Sequence, residues 1–340
     1  MSKQLFFKSF REIMTNYDDV VVVSHVNPDG DAVGSTLALS FFLRKLGVNV
    51  NVVLPNDFPS FLSWIPGIED VIIFDKDSEK AVELFNNADL FFFLDFNMAS
   101  RTGLMHNDLC HCKNTPKILI DHHLSPDKDA FLACLSEEYT SSTSELVAEL
   151  IDYHGFDYYM DDDIATCLLV GIMTDTGSFA HSIYHPYTFE VCGKLMSSTL
   201  NYPLIHRMVY DNSSENRLRL LGYSISNKMI VKDEYNTAFI TLSKDELDSF
   251  DYKVGDTEGI VNYPLSISDV KMSVLLTERQ GVIRLSFRSK GDFSVHELAK
   301  KYFSGGGHTN AAGGTLDCSL EQAVEKLVSI LPEYKTMLNK

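Results

Sequence analysis

The sequence predicts an α/β protein: a mainly parallel sheet in an N-terminal domain, then a smaller C-terminal α/β domain. Three observations lead there. Val20-Val-Val-Val23 is an unbroken run of β-branched residues, as in a strand covered on both faces. Further strand-like runs alternate with helical apolar spacing, which implies crossover connections and a parallel, Rossmann-like sheet. After Tyr210-Asp-Asn-Ser-Ser-Glu215, the expected hinge, the pattern changes to paired strands. A chain of 340 residues can bury two cores. The expected divisions are residues 1–190, a helical linker over 191–226, and residues 227–340.

The first residues read as an amphipathic helix, without the apolar core and small-residue cleavage site of a signal peptide. The valine strand ends abruptly in Ser-His25-Val-Asn-Pro-Asp29-Gly-Asp31. Pro28 biases Asn27 towards extended backbone, and Gly30 permits a sharp turn between the two aspartates. A helix over 32–46 stops at Gly47, and 48–54 is strand-like. Pro55, Pro59 and Pro66 mark a loop around a short helix. Residues 70–74 and 89–94 read as short strands separated by a helical segment, the second ending at Asp95. Residues 117–120 form another apolar strand, ending in Asp121-His122-His123. Thr140-Ser-Ser-Thr-Ser-Glu145 opens a helix running to about 154, its hydroxyls suited to the N-cap. A second apolar helix over 161–173 closes at Thr174-Asp-Thr-Gly-Ser-Phe179. Segments 186–198, 203–211 and 215–226 look helical. Strands follow around 228–241, a helix near 255–262, and a strand pair over 270–287 that turns at Arg279-Gln-Gly281. A helix at about 294–303 leads into Gly305-Gly-Gly-His-Thr-Asn-Ala-Ala-Gly-Gly314, and a last helix starts near Ser319.

Parallel strands put their carboxyl ends on one sheet edge, where open α/β folds place ligands. His25, Asp29, Asp31, Asp95 and His122 are therefore expected to converge. Crowded carboxylates repel one another, and a divalent cation is the simplest reason to keep them together. The plain alternative is a polar turn in which Asp31 caps the next helix. Asp175 joins the set, because a carboxylate at the C-terminal end of a buried helix opposes the helix dipole unless a cation compensates. The other reading is a turn aspartate. Four carboxylates and two imidazoles suit two divalent cations. Oxygen and nitrogen donors without thiolate favour manganese or magnesium, with iron, cobalt or zinc open. Such a pair can activate water and clamp phosphoryl oxygens, and Asp95 is the candidate bridge. His123 is the candidate for touching a phosphoryl or leaving oxygen; the alternative is a supporting histidine with no chemical role.

Gly305, Gly306, Gly307 and His308 form a second candidate site. Glycine backbone approaches an anion closely and His308 adds a donor, although a flexible surface loop is the commoner meaning of such a turn. Arg288 and Lys290, two residues apart on one strand face, could supply fixed positive charge. Neither a GxxxxGK[ST] loop nor a GxGxxG fingerprint is present. The spacing of Cys110-His-Cys112 is wrong for a zinc knuckle. The six cysteines are scattered in a chain too large to need disulfides, so a reducing cytoplasm is expected. A net charge of −18 opposes long duplexes, yet leaves room for a short phosphate-bearing substrate at a metal site. No apolar run approaches the roughly 20 residues that span a bilayer.

Taken together, these residues resemble the DHH phosphoesterase superfamily. His25-Val-Asn-Pro-Asp-Gly-Asp31, Leu94-Asp95, Asp121-His-His123 and Thr174-Asp-Thr-Gly177 occur in order. Gly-Gly-Gly-His308 with Ala311-Ala-Gly313 resembles the DHH-associated domain of its nuclease branch. Within the superfamily the chain looks most like the compact bacterial oligoribonuclease and 3′-phosphoadenosine 5′-phosphate (pAp) phosphatase group, the nanoRNases. The resemblance implies two domains with a cleft between them and two manganese ions. His25, Asp29 and Asp95 would hold one ion, and Asp31, Asp95, His122 and Asp175 the other. His123 would sit beside the nucleophile, Arg288 and His308 would grip substrate, and Arg101 resembles a family arginine near the cleft.

The implied activity is hydrolysis of very short oligoribonucleotides such as pApA, together with dephosphorylation of pAp-like nucleotides. One alternative is a phosphodiesterase acting on cyclic di-AMP, whose membrane-anchored representatives carry N-terminal segments absent from this sequence. Another is a non-catalytic nucleotide- or RNA-binding module. Pyrophosphate or polyphosphate hydrolysis goes with a different C-terminal domain. A homodimer is compatible with the composition.

Overall fold

The computed structural model describes residues 2–123, 130–180, 185–196, 199–279 and 281–339. The chain divides into two units, Met1–Asn212 and Ser213–Lys340. The first opens with α1 (Lys3–Met14), β1 (Asp19–Val23), α2 (Gly30–Lys45), β2 (Asn49–Leu54), β3 (Ile72–Ile73) and α3 (Ser78–Asn87). Then come β4 (Leu90–Leu94), a 3₁₀ segment (Ala99–Met105), α4 (His106–His111), β5 (Lys117–Asp121) and β6 (Ala133–Ser136). Helices α5 (Thr143–Tyr159), α6 (Asp162–Asp175), α7 (Tyr187–Leu195) and α8 (Tyr202–Tyr210) complete the unit.

Its six strands are all parallel, in the order β3-β2-β1-β4-β5-β6. The reason is legible in the valines. Val20 and Val22 pack with Phe92, Leu94 and the helices α1, α2, α5 and α6 on one face. Val21 and Val23 pack with Phe91, Phe93 and residues of α3 and α4 on the other. A strand buried on both faces has no polar side to alternate, so it reads as a continuous apolar run. The strand order reverses between β1 and β4, whose register pairs Val23 with Phe93. Such a reversal opens a crevice at the carboxyl ends of the strands. His25 follows one of these two strands and Asp95 the other.

Several expectations need correction. The strand expected over 70–74 is only Ile72–Ile73, because Ile68–Asp70 forms a 3₁₀ turn behind Gly67 at φ 78°. The alternative role considered for Asp31, capping α2, falls to Asp29, whose carboxylate accepts from the N–H groups of Asp31 and Ala32. The expected helix at 161–173 runs on to Asp175, and β6 was not anticipated. No helix among the described residues is long and apolar enough to cross a membrane.

The second unit holds α9 (Glu215–Tyr223), β7 (Met229–Lys232), β8 (Thr237–Leu242), α10 (Lys244–Ser249), β9 (Met272–Arg279) and β10 (Val282–Ser289). It continues with α11 (Val295–Tyr302), β11 (Gly306–Gly307), β12 (Ala311–Leu316) and α12 (Leu320–Leu338). The helix expected near 255–262 is instead a 3₁₀ segment, Ile260–Ser266, which contains Pro264. The sheet runs β11-β12-β10-β9-β8-β7, antiparallel except for β8 with β9. One face carries Val274, Leu276, Ile283, Leu285 and Phe287 against α11 and α12. The other is covered over β8 and β9 by Leu220, Leu247, Ile260 and Val261.

Candidate metal centre

Each candidate ligand is placed by the end of an apolar element. The chain leaves β1 through Ser24, whose hydroxyl donates to the Leu94 carbonyl (2.8 Å) and ties the exits of β1 and β4 together. His25 Nδ1 faces the Val26 carbonyl at 2.9 Å, which turns Nε2 towards Asp95. Asp95 leaves β4 with its N–H still bonded to Ile120 (3.1 Å), then takes a left-handed backbone at φ 65°. Aspartate tolerates that region better than most residues. His122 and His123 follow β5, and Asp175 is the last residue of α6.

The structure brings six of the candidates into two trios. Ligand atoms of His25, Asp29 and Asp95 lie within 4.8 Å of one another, and so do those of Asp31, His122 and Asp175. Asp95 reaches both trios: Oδ2 is 3.3 Å from His25 Nε2 and Oδ1 is 3.5 Å from His122 Nε2. His122 Nε2 also lies 3.3 Å from Asp175 Oδ2 and 3.9 Å from Asp31 Oδ2. His123 stands slightly apart, its Nδ1 2.8 Å from Asp121 Oδ1 and 3.7 Å from Asp95 Oδ1.

Three supporting groups were missed in the sequence. The N–H groups of Thr143 and Ser144, in the first turn of α5, donate to the two oxygens of Asp31 at 2.7 and 2.8 Å. Helix N-termini have such unpaired donors and favour a carboxylate. Thr143 Oγ1 donates to Asp95 Oδ1 at 3.0 Å. The hydroxyl-rich run at 140–144 thus caps its own helix and also holds Asp31 and Asp95. Asp121 is the third, fully buried behind His123.

Glycines let α2, α5 and α6 close round these groups. A Cβ on Gly171 would overlap Ser144 Oγ and fall 2.8 Å from Asp31 Oδ1. One on Gly34 would overlap the Cys167 carbonyl, and one on Gly30 would overlap Thr174.

The electrostatics report crowding. Burial, then the neighbouring Asp95 and Asp175 carboxylates, push Asp31 well above the usual carboxylate range. Burial would also raise Asp95, but the His122 and His25 imidazoles override it and hold that carboxyl well below. For His122, burial is outweighed by Asp175, Asp95 and Asp31, which together hold its pKa well above the ordinary value. His25 is raised more modestly, Asp95 overcoming burial. His123 goes the other way: burial keeps it neutral in spite of Asp121. Two buried imidazoles borrowing protons from a carboxylate cluster is what a cation site looks like to its own titratable groups. The donor set, oxygen and nitrogen without thiolate, fits a pair of divalent cations.

Arg101 lies in the 3₁₀ segment after β4; its carbonyl accepts from the Val26 N–H (2.7 Å) and its charge lowers both His25 and His123. In the second unit, Arg288 lies on β10 between Ser273 of β9 and Ala311 of β12. The glycines are not a loose loop: Gly306 and Gly307 form β11, paired with Gly313 and Ala312, and residues 308–311 turn back with His308 N–H donating to the Ala311 carbonyl at 2.7 Å. Gly305 N–H donates to the Ala299 carbonyl at 3.2 Å, while His296 Nδ1 lies 3.1 Å from Gly307 N. A Cβ on Gly305 would overlap the Gly313 carbonyl. Close strand contact requires a glycine at 305.

A parallel sheet with two His–carboxylate trios at its strand ends, followed by a mixed-sheet unit, is the architecture of the DHH phosphoesterases. Residues 19–172 match the DHH family, N-terminal domain, and residues 234–335 match the DHHA1 domain. The chain belongs to the DHH family. It is 30% identical, over 93% of its length and 90% of the relative's, to the bifunctional oligoribonuclease and PAP phosphatase NrnA of Thermus thermophilus. It is similar also to the cyclic-di-AMP phosphodiesterase GdpP of Bacillus subtilis, at 27% identity, but there spans 49% of the relative. The crystal structure of an exopolyphosphatase-related protein from Bacteroides fragilis superposes with a TM-score of 0.92 at 41% identity, over 99% of this chain and 98% of that one.

Proposed function

We propose that the chain is a metal-dependent phosphoesterase of the DHH family. It hydrolyses very short oligoribonucleotides such as pApA to mononucleotides and removes a phosphate from pAp-like nucleotides. The observation that carries the reading is the placement of Asp95, each of whose oxygens faces the imidazole of a different trio. A carboxylate so placed could serve two cations at once. His25, Asp29 and Asp95 would hold one, and Asp31, Asp95, His122 and Asp175 the other; manganese would suit the donors, as would magnesium, cobalt or iron. Bound there, two divalent cations bring the pKa of a water near neutrality and offset charge on the phosphoryl oxygens.

The chain's own residues do the rest. Asp121 accepts from His123 Nδ1–H, so Nε2 of the neutral ring carries the lone pair, which can accept a proton from the attacking water and then return it to the departing oxygen. In the reaction the oxygen of water bonds to phosphorus as the ester P–O bond breaks, and the departing oxygen takes up a proton. Thr143 and the N-terminus of α5 hold Asp95 and Asp31 in place while charge shifts around them. Arg288, His308 and the adjoining Gly305–Gly307 segment bind nucleotide and phosphate, with Arg101 adding positive charge beside His25 and His123. The net charge of −18 disfavours long polyanions and so supports short substrates. The setting fits a cytoplasmic protein.

A cyclic di-AMP phosphodiesterase is the second reading, favoured by the GdpP likeness over half that protein's length. A panel of pApA, longer oligoribonucleotides, pAp, cyclic di-AMP and polyphosphate, each with manganese and with magnesium, separates the two. The expected order puts pApA and pAp first. Faster opening of cyclic di-AMP than cleavage of pApA would reverse the assignment. Asp95→Ala should abolish turnover while nucleotide affinity persists, and Arg288→Ala should chiefly raise KM. Activity of Asp95→Ala equal to the parent's would leave only a binding module.

A further inference from the structure

Two carboxylates of the second trio are held in different ways. Asp31 is fixed by the Thr143 and Ser144 N–H groups, and its side chain is 1% exposed. Asp175 is the last residue of α6, and its side chain is 26% exposed. The final carbonyls of a helix have no partner within it, so a side chain at that end is steadied by whatever satisfies those carbonyls and fixes the turn that follows. How the chain does this after Thr174 therefore bears on where Asp175 points.

The turn is strained. Gly177, Ser178 and Phe179 follow one another at positive φ, 56°, 57° and 67°. Glycine takes that region freely, but a serine and a bulky phenylalanine do so only where their surroundings impose it. Part of that restraint is local. Ser178 N–H donates to the Met173 carbonyl at 2.8 Å, Phe179 N–H to Thr176 Oγ1 at 3.0 Å, and Ala180 N–H to the Thr176 carbonyl at 2.8 Å. The Phe179 ring stacks on Phe189 of α7, with centroids 5.5 Å apart. Helix α8 supplies the rest. Tyr210 O–H donates to the same Met173 carbonyl at 2.7 Å, and His206 Nε2 lies 3.3 Å from Ser178 Oγ. These two side chains, one helical turn apart, pack with ring centroids 4.9 Å apart. Met173 and Ser178 bracket Asp175 in the chain, and α8 touches both.

We propose that Tyr210, seconded by His206, is a positioning residue for Asp175. Through the Met173 carbonyl and the Ser178 hydroxyl it pins the end of α6 and its strained turn, so that the Asp175 carboxylate keeps facing His122 and the cation the two would share. The strain has a use on this account, since a turn that must be held in place can be held in one place. Tyr210 is also the last residue of α8, beside the point where the chain leaves the first unit after Asn212. The exit from that unit is thereby tied to the helix that carries a metal ligand. The inference rests on the reading of Asp175 as a ligand of the second cation and extends it.

The experiment titrates manganese into the full chain by calorimetry and compares the parent with Tyr210→Phe, Asp175→Asn and the double variant. Phenylalanine keeps the ring, and Ser178 N–H still bonds to Met173, so the chain folds and only the phenol donor is lost. Asp175→Asn should abolish one of two manganese equivalents. Tyr210→Phe should weaken that same equivalent about tenfold, the scale of one hydrogen bond, and spare the other. On pApA at saturating manganese its kcat should fall while KM stays within about twofold, because the residue acts on the ligand and not on the substrate. Added to Asp175→Asn, the tyrosine change should do nothing further, whereas a general loosening of the fold would add its own loss. Loss of one equivalent in Asp175→Asn with parental binding in Tyr210→Phe overturns the proposal alone, as does equal weakening of both equivalents or full additivity in the double variant. Parental manganese binding in Asp175→Asn overturns the ligand reading and the proposal with it. Should the parent bind manganese without hydrolysing pApA, the oligoribonuclease reading fails and the titration still decides the role of Tyr210.

Discussion

A proton on His122 and a cation at the same nitrogen exclude one another. Without metal, the surrounding carboxylates keep the His122 pKa well above 6.5, and burial together with the Asp95 and Asp175 carboxylates keeps that of Asp31 well above 3.8. Both groups are raised on folding, so both contribute stability at low pH that is lost as pH rises through their folded-state values. His123, lowered by burial, contributes the opposite slope near pH 6.5. The metal-free protein should therefore lose melting temperature as pH climbs above that value and His122 gives up its proton, and added manganese should restore more of it at each step. Calorimetric titrations in buffers of differing ionisation enthalpy should show proton release on manganese binding. Metal-free stability that is flat or rising over that range would contradict the described cluster. At this scale the sequence was informative where a side chain ends an apolar run, as His25, Asp95 and His122 do. It was silent where the contributing atom is a backbone N–H. Thr143 and Ser144 hold Asp31 through groups that every non-proline residue has, so no residue type announces them.

Among the elements, α2 and α6 leave no room for a side chain at Gly34 and Gly171. Gly34→Ala pushes a methyl into the Cys167 carbonyl, and Gly171→Ala pushes one into Ser144 and Asp31. Each should cost about 1–3 kcal/mol, as overpacking of a dense core does. Gly171→Ala should in addition weaken manganese binding. Gly193→Ala in α7 is the control: nothing lies within 4 Å of its added Cβ, and the change should stabilise by about 0.4–1 kcal/mol. Thermal melts with and without manganese read all three, and a neutral Gly171→Ala would refute the contact. These glycines sit within helical patterns, where sequence reading treats them as mild defects. The same limitation explains β11 and β12. A strand pair rich in glycine lacks the β-branched signature, so its pairing became visible only from the contacts of Gly305 and Gly307 with the neighbouring strand.

For the whole molecule, each unit has its own hydrophobic core, and the two trios that share Asp95 belong to the first. Scanning calorimetry should resolve two transitions, of which manganese raises one. A single transition that shifted as a whole would show the units to unfold together. The parallel sheet was legible because crossover helices and doubly buried strands leave a coarse pattern over many residues. The helix expected near 255–262 was not, because Pro264 and the glycine at 259 leave only 3₁₀ turns there. One contact joins distant parts of the chain: Gly30, between the first two aspartates, has its vacant side filled by Thr174, the neighbour of Asp175. Neither position is free to vary alone. In descent they should behave as one heritable character, so that relatives which enlarge residue 30 also carry something smaller than threonine at 174, and chimaeras that exchange only one of the two segments should fail to assemble the centre.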